Sequence, residues 1–576
     1  MNLAVASEIV TERVDDIPVL LTHLQQMGVP ELLDEHFPTH GNWAGLSLGW
    51  TATIWLGHIL SQADHRLNRV QDWVARHQET LCRCTGPALG ELDFSDDRLA
   101  AVLRYLQEDN AWVGYEQSQG ECLLRVYELG GERVRLDTTT ASTYQGESVA
   151  GLFRRGVSKD HRPDLAQVKA MLATLDPLGL PLATAVVDGS RADDPLYEPA
   201  IAQVRATLKR TGVLYIGDSK MGAQSTRASL AAHGDYYLLP LSATQLPEAE
   251  VAAYLQPVWE GRQALRPIVR TTADGESVVV AEGYESATTL EVVTDEGQGV
   301  VWNERRLIVR SLSHAASQEA ALCERLAKAQ AALEALPRSQ RGKKRLGSLA
   351  EYQQAIEDIL SRYQVAGLLD VQCTETFIER PVRGYGDRPA RVARDASFQL
   401  TVTVVHAAVE ARLRRLGWRV YATHAPTDSL GLTEAVLAYC EQYIVERGFA
   451  RLKGQPLSLT PMYLQREDHV TGLIRLLSIA LRALTLFEFV IRRRLAGTKL
   501  AGLYPGNRTR ATARPSAELL LEAFNGIDLM VLSAEPDTVR HLTPLSEVQQ
   551  NILALLGLSP VIYTRLVEDF SEPSKK

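Results

Sequence analysis

The order of predicted strands and helices between residues 132 and 241 limits the folds open to this chain more than any other feature does. Residues 133–137 alternate between polar and apolar side chains as a strand does, and they end on Asp137. A second acid, Asp218, ends another predicted strand. The predicted elements are strands at 133–137, 168–174, 180–187, 213–218 and 236–241, and helices at 194–209 and 223–232. This order predicts an α/β domain with catalytic groups at the ends of its strands.

Three strands followed by a helix, a strand and a helix is the order of an RNase H-like core, and the rest of the chain is divided around it. Residues 243–416 contain further strands, two polar helices and a strongly basic linker at 338–345, so we interpret them as a domain inserted into the core. The core resumes with a last strand at 418–423, and the tail at 571–576 has the composition of a disordered segment. The predicted domains are a helical N-terminal domain at 1–125, the first part of the core at 130–242, an inserted β-rich and helical domain at 243–416, the second part of the core at 417–500 and a helical C-terminal region at 501–576.

One continuous helix is predicted from Thr433 to Gly454, directly after the last strand of the core. Thr433 can cap its start, and Gly454 followed by Pro456 ends it. At about 100° per residue, one narrow stripe of this helix carries a phenol, an amide, an acid and an ammonium group. The residues of the stripe are Tyr439, Gln442, Glu446 and Lys453. Taken alone, the segment is explained equally well as an amphipathic helix with charges on its solvent side.

The stripe resembles the Tyr-x2-Arg-x3-Glu-x6-Lys signature of a large group of bacterial insertion-sequence transposases of the DDE class, with Gln442 in place of the arginine. The segments at 137–140, 158–165 and 217–220 are also similar to blocks of this family, and an inserted β-rich domain is typical of this branch. The resemblance covers most of the chain and is weakest in the N-terminal domain, where it suggests binding of the element's DNA ends. It implies an RNase H-like fold and a transposase that cuts the ends of its element and joins them to target DNA.

Asp137, Asp218 and Glu446 are the catalytic and metal-binding residues that the resemblance implies. Three carboxylates brought together repel one another, and two divalent cations, Mg2+ or Mn2+, relieve that repulsion. A pair of such ions can stabilise the attacking and the leaving oxygen of an in-line phosphoryl displacement. Either aspartate alone would be explained as well by a turn or a cap, whereas the three acids in this order, with the helix signature, predict a DDE site.

Five side chains near these acids are candidates for contacts with DNA. By the resemblance, Lys453 and Tyr439 contact a phosphate near the cut. Gln442 can donate a hydrogen bond to the same strand but carries no charge. Lys159 and Arg162 are loop cations that would face DNA, and for them solvated loop charges are an equal alternative.

Two further features point to nucleic acid. Trp302, in the inserted strands, could stack on an unpaired base, although packing within a hairpin is the favoured explanation. The chain has a net charge of −9, but between Tyr439 and Pro515 thirteen basic residues stand against five acidic ones, so this tract carries +8 and the remainder −17. Phosphate binding depends on local charge, so the basic tract outweighs the acidic total. The candidate DNA-binding run within it is Arg492, Arg493 and Arg494.

The predicted partner is double-stranded DNA, both the terminal inverted repeats of the element and the target, bound by a homodimer. Six cysteines without disulfide or zinc spacing predict a reducing compartment, and the N-terminus lacks a signal-peptide pattern, so we expect a cytoplasmic protein associated with the nucleoid. The most apolar segment, at 470–491, contains Arg475 and Arg482. Charges are costly inside a bilayer, so this segment is predicted to be a buried core helix.

Two other functions are compatible with these residues. A nuclease with the same core would hydrolyse DNA without strand transfer. A domesticated descendant would bind DNA as a regulator, which the intact acids Asp137, Asp218 and Glu446 disfavour. Terminal inverted repeats beside the gene, or a strand-transfer assay, would separate the transposase from the nuclease.

Overall fold

The structure, a computed structural model, describes residues 8–568 except 87, 150, 273, 294–298, 338–345, 387, 388, 390, 461, 463, 508, 535 and 536. The basic linker at 338–345 and the tail at 571–576 therefore lie outside the described residues. The chain divides into two compact units, and the first is assembled from three stretches. The first unit comprises Met1–Leu239, Thr289–Asn303 and Ala438–Lys576, and the second comprises Pro240–Thr288 and Glu304–Leu437.

The N-terminal region is helical, as predicted, but it begins with a strand that was not predicted from the sequence. Its elements are β1 (Glu8–Arg13), α1 (Ile17–Gln26), α2 (Val29–His36), α3 (Leu48–Gln62), α4 (Val70–Arg76), α5 (Gln78–Thr85), α6 (Asp96–Leu106) and α7 (Asp109–Val126). α3 starts where the side chain of Ser47 accepts a hydrogen bond from the backbone N–H of Trp50. Buried residues of α3 lie on all sides of the helix, so α3 is in the middle of this region.

The first unit contains five neighbouring β-strands with helices packed on them. Its elements are β2 (Arg133–Thr143), β3 (Ala166–Leu175), β4 (Leu180–Asp188), α8 (Asp194–Leu208), β5 (Leu214–Ile216), α9 (Gln224–Ala232) and β6 (Tyr236–Pro240). The strands lie in the order β4-β3-β2-β5-β6, with antiparallel pairing from β4 to β2 and parallel pairing from β2 to β6. This mixed sheet confirms the predicted RNase H-like, α/β fold class. All ten residues of β3 are buried, as expected for a strand covered on both faces.

The second unit combines an antiparallel sheet, a long hairpin and helices. Its elements are α10 (Glu248–Trp259), β7 (Arg266–Thr271), β8 (Ser277–Val293), β9 (Gly299–Ser311), α11 (Leu312–Ala335), α12 (Leu349–Arg362), β10 (Leu369–Val382), β11 (Arg391–Val404), α13 (His406–Leu413) and β12 (Trp418–Thr423). The strand order is β12-β9-β8-β7, and β10 and β11 form a two-stranded antiparallel sheet. β12, which the sequence reading assigns to the second part of the core, pairs antiparallel with β9 in this unit. The end of β8 from residue 289 and the start of β9 up to residue 303 belong to the first unit.

The C-terminal third combines helices with short strands and supplies the partner of the first strand. Its elements are α14 (Leu432–Cys440), α15 (Tyr443–Lys453), α16 (Glu467–Leu495), β13 (Leu500–Ala501), β14 (Ala511–Thr512), α17 (Ala517–Glu522), β15 (Asp528–Ala534), β16 (Asp537–Leu542), α18 (Glu547–Leu556) and α19 (Val561–Thr564). β15 lies between β1 and β16 in a three-stranded antiparallel sheet. The two ends of the chain are therefore joined by backbone hydrogen bonds.

The predicted continuous helix from Thr433 to Gly454 is wrong, because the structure has two helices, α14 and α15, at this place. The carbonyl of Ala438 accepts a hydrogen bond of 2.7 Å from the buried guanidinium of Arg135. The backbone N–H of Gln442 donates instead to the carbonyl of Tyr439, which is one residue nearer than in an α-helix. This tight turn breaks the regular rotation of about 100° per residue. Residues before and after position 441 therefore do not share the single stripe calculated for one straight helix.

α16 is a buried core helix, as predicted. Both arginines within it are buried and paired, Arg475 with Asp109 and Arg482 with Glu116. Among the described residues, no helix is both long and apolar enough to cross a membrane. α16 packs against α6 and against β4, so it supports the sheet that carries the two aspartates.

Candidate active site

Asp137 and Asp218 belong to two neighbouring parallel strands, β2 and β5. Asp218 follows the end of β5, as predicted, but the predicted strand end at Asp137 is wrong, because pairing with β3 extends β2 to Thr143. Arg135 of β2 is paired with Ile216 of β5, and each aspartate follows two residues further along its chain. Alternate residues of extended chain point to one face of a sheet, so both carboxylates lie on the same face. The two negative charges repel each other, so the charge of Asp218 helps to raise the pKa of Asp137.

The carboxylate of Asp137 is half-enclosed and paired with a lysine. The ammonium of Lys159 lies 3.1 Å from Asp137 Oδ1 and also donates to the carbonyl and hydroxyl of Thr138. Burial raises the pKa of the Asp137 carboxyl, the charge of Lys159 opposes the rise, and the charge of Asp218 adds to it. Lys159, predicted from sequence as a loop cation that would face DNA, therefore occupies the place of a counter-ion beside this acid.

Asp218 is held by a tyrosine that the sequence reading does not single out. The hydroxyl of Tyr197, on α8, donates a 2.7 Å hydrogen bond to Asp218 Oδ1, and the backbone N–H of Lys220 donates to the same oxygen at 2.9 Å. Burial, and next the charge of Asp218, raise the pKa of the Tyr197 phenol well above its ordinary value. The phenol therefore stays protonated and fixes the orientation of the carboxylate. No sequence pattern marks Tyr197, because a buried tyrosine on a helix is ordinary core material.

Glu446 lies on α15, which packs against β2, the strand that carries Asp137. Its side chain is exposed and has no hydrogen bond or ion pair with any described residue. Within the described part of the chain, no three acidic, histidine or cysteine side chains lie close enough together to hold a metal ion. The structure thus brings the two aspartates together and places the helix of Glu446 beside them, without closing the three carboxylates into one cluster.

The side chain of Lys453 contacts Asp160, an acid in the loop that follows β2. Its ammonium lies 2.5 Å from Asp160 Oδ1, and the other oxygen of Asp160 accepts hydrogen bonds from the backbone N–H and the hydroxyl of Ser142. Asp160 therefore ties the end of α15 to β2. The segment at 158–165 resembles a family block, which is the signal that could have drawn attention to Asp160.

We expect the Asp160–Lys453 pair to stabilise the fold by about 1 kcal/mol, since the pair is partly buried and well directed. The measurement is a double-mutant cycle of urea unfolding with Asp160→Asn, Lys453→Met and the double variant. The matched control is the Arg466–Asp468 pair, whose arginine is solvent-exposed and whose coupling should be close to zero. Equal coupling in the two cycles would contradict a special role of Asp160.

The remaining residues of the α14–α15 signature face the protein more than solvent. Tyr439 and Gln442 are both half-buried. The amide oxygen of Gln442 is buried and has no hydrogen-bond partner among the described residues. Contact of Gln442 with DNA stays a prediction, and it would require this side chain to turn outward.

Arg162 and Trp302 both have partners within the protein. Arg162 forms a two-pronged ion pair with Asp164 on the surface, at 2.9 and 2.7 Å. The indole of Trp302 is buried and donates a 2.8 Å hydrogen bond to the hydroxyl of Tyr237. This geometry favours the packed-hairpin explanation of Trp302, and its stacking on a base stays a prediction that needs the indole to leave this contact.

The three consecutive arginines of the basic run bind backbone carbonyls. Arg492 donates to the carbonyl of Pro515, and Arg493 donates to that of Tyr127. Arg494 donates to the last carbonyls of α18, where a cation also interacts favourably with the helix dipole. All three guanidinium groups therefore hold elements of the first unit together, and DNA binding by them stays a prediction.

An RNase H-like core with acids on two neighbouring parallel strands, one within β2 and one just after β5, is typical of the class of RNase H-like proteins that act on nucleic acids. The sequence model of the transposase DDE domain matches residues 136–482, a stretch that includes Asp137, Asp218 and Glu446. The chain belongs to this family of transposases, which are enzymes that act on DNA. No curated protein sequence matches the chain.

Proposed function

We propose that this transposase cuts DNA at the ends of an insertion sequence and joins the freed 3′-hydroxyl groups to target DNA. One observation carries the proposal, namely that Asp137 and Asp218 each lie two residues beyond the register pair Arg135–Ile216 of adjacent parallel strands, with interacting charges. This geometry provides two carboxylates at one point on the sheet, as metal-dependent phosphoryl transfer requires. We further propose that the enzyme acts in the cytoplasm, as a homodimer bound to the inverted repeats and the target.

The donor set at this point fits a hard divalent cation. Carboxylate oxygens are the ligands that Mg2+ and Mn2+ prefer, and the mutual repulsion of Asp137 and Asp218 would be relieved by a cation between them. These two residues would hold the ions, with Glu446 as the third ligand once its side chain approaches them. Bound divalent cations would supply charge stabilisation to the attacking and leaving oxygens of the displaced phosphate.

The protein's own residues would prepare the site and position the DNA strand. Tyr197 keeps the carboxylate of Asp218 in a fixed orientation through a neutral hydrogen bond. Lys159 neutralises Asp137 and would be free to serve a phosphate when a stronger cation takes its place. Lys453, anchored by Asp160, offers its two other N–H donors to a phosphate near the cut.

The proposal is tested with a donor plasmid that carries the sequences flanking the gene and a second, supercoiled plasmid as target. We expect cleavage at the element ends and joined donor–target products, both dependent on Mg2+ or Mn2+ and abolished by a chelator. Cleavage without joined products would identify the alternative nuclease. Specific binding without cleavage in either metal would identify a DNA-binding regulator.

A further inference from the structure

A cavity of about 670 Å³ lies on the side of α15 that faces α16. Its walls come from the loop between β3 and β4, from the two helices and from the segment before α17, all within the first unit. Five arginines contribute to its lining, and we name it the arginine pocket. These residues are Arg447, Arg451, Arg492, Arg493 and Arg514.

One buried acid organises the inner wall of the arginine pocket. Glu488 of α16 forms ion pairs with Arg447, Arg451 and Arg492. A single carboxylate cannot neutralise three guanidinium groups. Glu518, paired with Arg451, and Glu441, which also lines the pocket and is paired with Arg135, add two negative charges against five arginines. The pocket therefore holds more positive than negative charge.

The excess positive charge helps to lower the pKa of Arg492. Burial lowers the pKa of its guanidinium, the charge of Glu488 opposes the shift, and the charges of Arg447, Arg451 and Arg514 add to it. These cations are thus close enough to repel one another. An anion placed among them would remove that repulsion.

Two arginines have N–H donors to offer such an anion. Arg514 is exposed, and its guanidinium has no hydrogen bond or ion pair with any described residue. Arg447 has a side chain 42% exposed, and only its Nη2 is bonded, to Glu488. Tyr443, one turn before Arg447 on the same helix, lines the pocket with a ring that is 58% exposed.

We propose that the arginine pocket binds a backbone phosphate of a DNA strand through Arg447 and Arg514. Guanidinium groups bind phosphate oxygens with two parallel hydrogen bonds, and an exposed aromatic ring beside them is typical of surfaces that hold nucleic acid. The inference rests on the proposed function, because it takes DNA as the occupant. It adds a contact on the face of α15 that carries Arg447 and Arg451, in addition to the contact expected of Lys453.

The test uses the full chain, a fluorescent random-sequence duplex and a chelator, so that binding is measured without cleavage. Random-sequence DNA suffices because non-specific binding consists of phosphate contacts. The pocket variant is Arg447→Gln with Arg514→Gln, which leaves Glu488 paired with two other arginines. The control variant is Arg262→Gln with Arg415→Gln, which removes two exposed arginines outside the N-terminal domain that are paired on the surface with glutamates.

We expect the slope of log K against log salt to fall by roughly 0.9 for each lost phosphate contact in the pocket variant, and to stay unchanged in the control variant. Equal slopes in the wild type and the pocket variant would overturn the inference while leaving the proposed function intact. A wild type that binds no duplex DNA would overturn both. Thermal stabilisation by inorganic phosphate that is lost in the pocket variant, together with an unchanged DNA slope, would assign the pocket to a small phosphate ligand and overturn the DNA occupant.

Discussion

Replacing Asp218 by asparagine is expected to reduce DNA cleavage roughly 10³-fold or more, with DNA binding retained. Asparagine keeps the size of the side chain and can still accept the hydrogen bond from Tyr197, so the local fold should survive. It removes the negative charge that a divalent cation needs at this point. The same loss is expected for Asp137→Asn, whose carboxylate stands level with that of Asp218.

The measurement is cleavage of a labelled element end in Mg2+, with binding of the same DNA followed by fluorescence anisotropy in a chelator. The matched control is Asp188→Asn, since Asp188 also ends a strand of this sheet but is hydrogen-bonded to Ser190 two residues along. The control should cleave at close to the wild-type rate. Near-normal cleavage by Asp137→Asn or Asp218→Asn would remove that residue from the site.

The positions of the two aspartates could be predicted from the sequence because they depend on local features. Each follows a run of alternating or apolar residues that lies in a strand, and each strand has its own sequence signal. The end of the first strand was placed too early, because β2 continues past Asp137 to Thr143, where β3 pairs with it. The parallel register that brings Asp137 and Asp218 level is then set by the order of the elements in the core. The fold class followed from the same order, which the five neighbouring strands confirm.

The break between α14 and α15 could not be predicted in this way, because its cause lies far away in the chain. The segment from Thr433 to Gly454 has the composition of one helix. At the break, the carbonyl of Ala438 accepts a hydrogen bond from the guanidinium of Arg135, about 300 residues earlier, and one from the backbone N–H of Glu441, three residues along instead of four. Arg135 is itself fixed by a buried ion pair with Asp176 at 2.6 Å. A local propensity is overridden here by a tertiary hydrogen bond.

The pairing of β1 with β15 and the partners of the three consecutive arginines were missed for the same reason. β1 is a short strand whose partner lies at the other end of the chain, so periodicity gives no sign of the pairing. The sequence predicts a basic run available to DNA at Arg492, Arg493 and Arg494. In the structure, carbonyl groups on distant segments accept hydrogen bonds from these three side chains. A count of charges along a sequence does not show which cationic side chains are already hydrogen-bonded within the folded protein.

Arg482→Met is expected to destabilise the first unit by about 3–5 kcal/mol, because it leaves a buried carboxylate without its cation. Arg482 and Glu116 are both buried, and they form an ion pair between α16 and α7. The same guanidinium donates to the carbonyl of Pro181 at the start of β4 and to the side chain of Gln119. Methionine fills much of the same space but can satisfy none of these acceptors.

The second substitution of the test, Glu116→Gln, separates the charge from the packing. Glu116 also accepts hydrogen bonds from the backbone N–H of Thr184 and the side chain of Gln203, and a glutamine oxygen can keep these contacts. The double variant Arg482→Met with Glu116→Gln should therefore be more stable than Arg482→Met alone, since no unpaired charge remains buried. The control is Arg466→Met, which removes an exposed arginine just before α16 and should change stability by less than about 0.5 kcal/mol.

Urea unfolding followed by tryptophan fluorescence gives the free energies, and the ring of Trp112, 5.7 Å from the Arg482 guanidinium, places a reporter at the pair. A loss of less than about 1 kcal/mol for Arg482→Met would contradict a buried ionic pair, because an unpaired charge in the core costs several times as much. A double variant less stable than Arg482→Met would show that the packing of the guanidinium, and not its charge, matters at this position. The expected order places the stability of the double variant between those of the wild type and Arg482→Met. That order would show that the charge of Glu116 explains why an arginine is kept in the buried middle of α16, the helix that supports the sheet of the two aspartates.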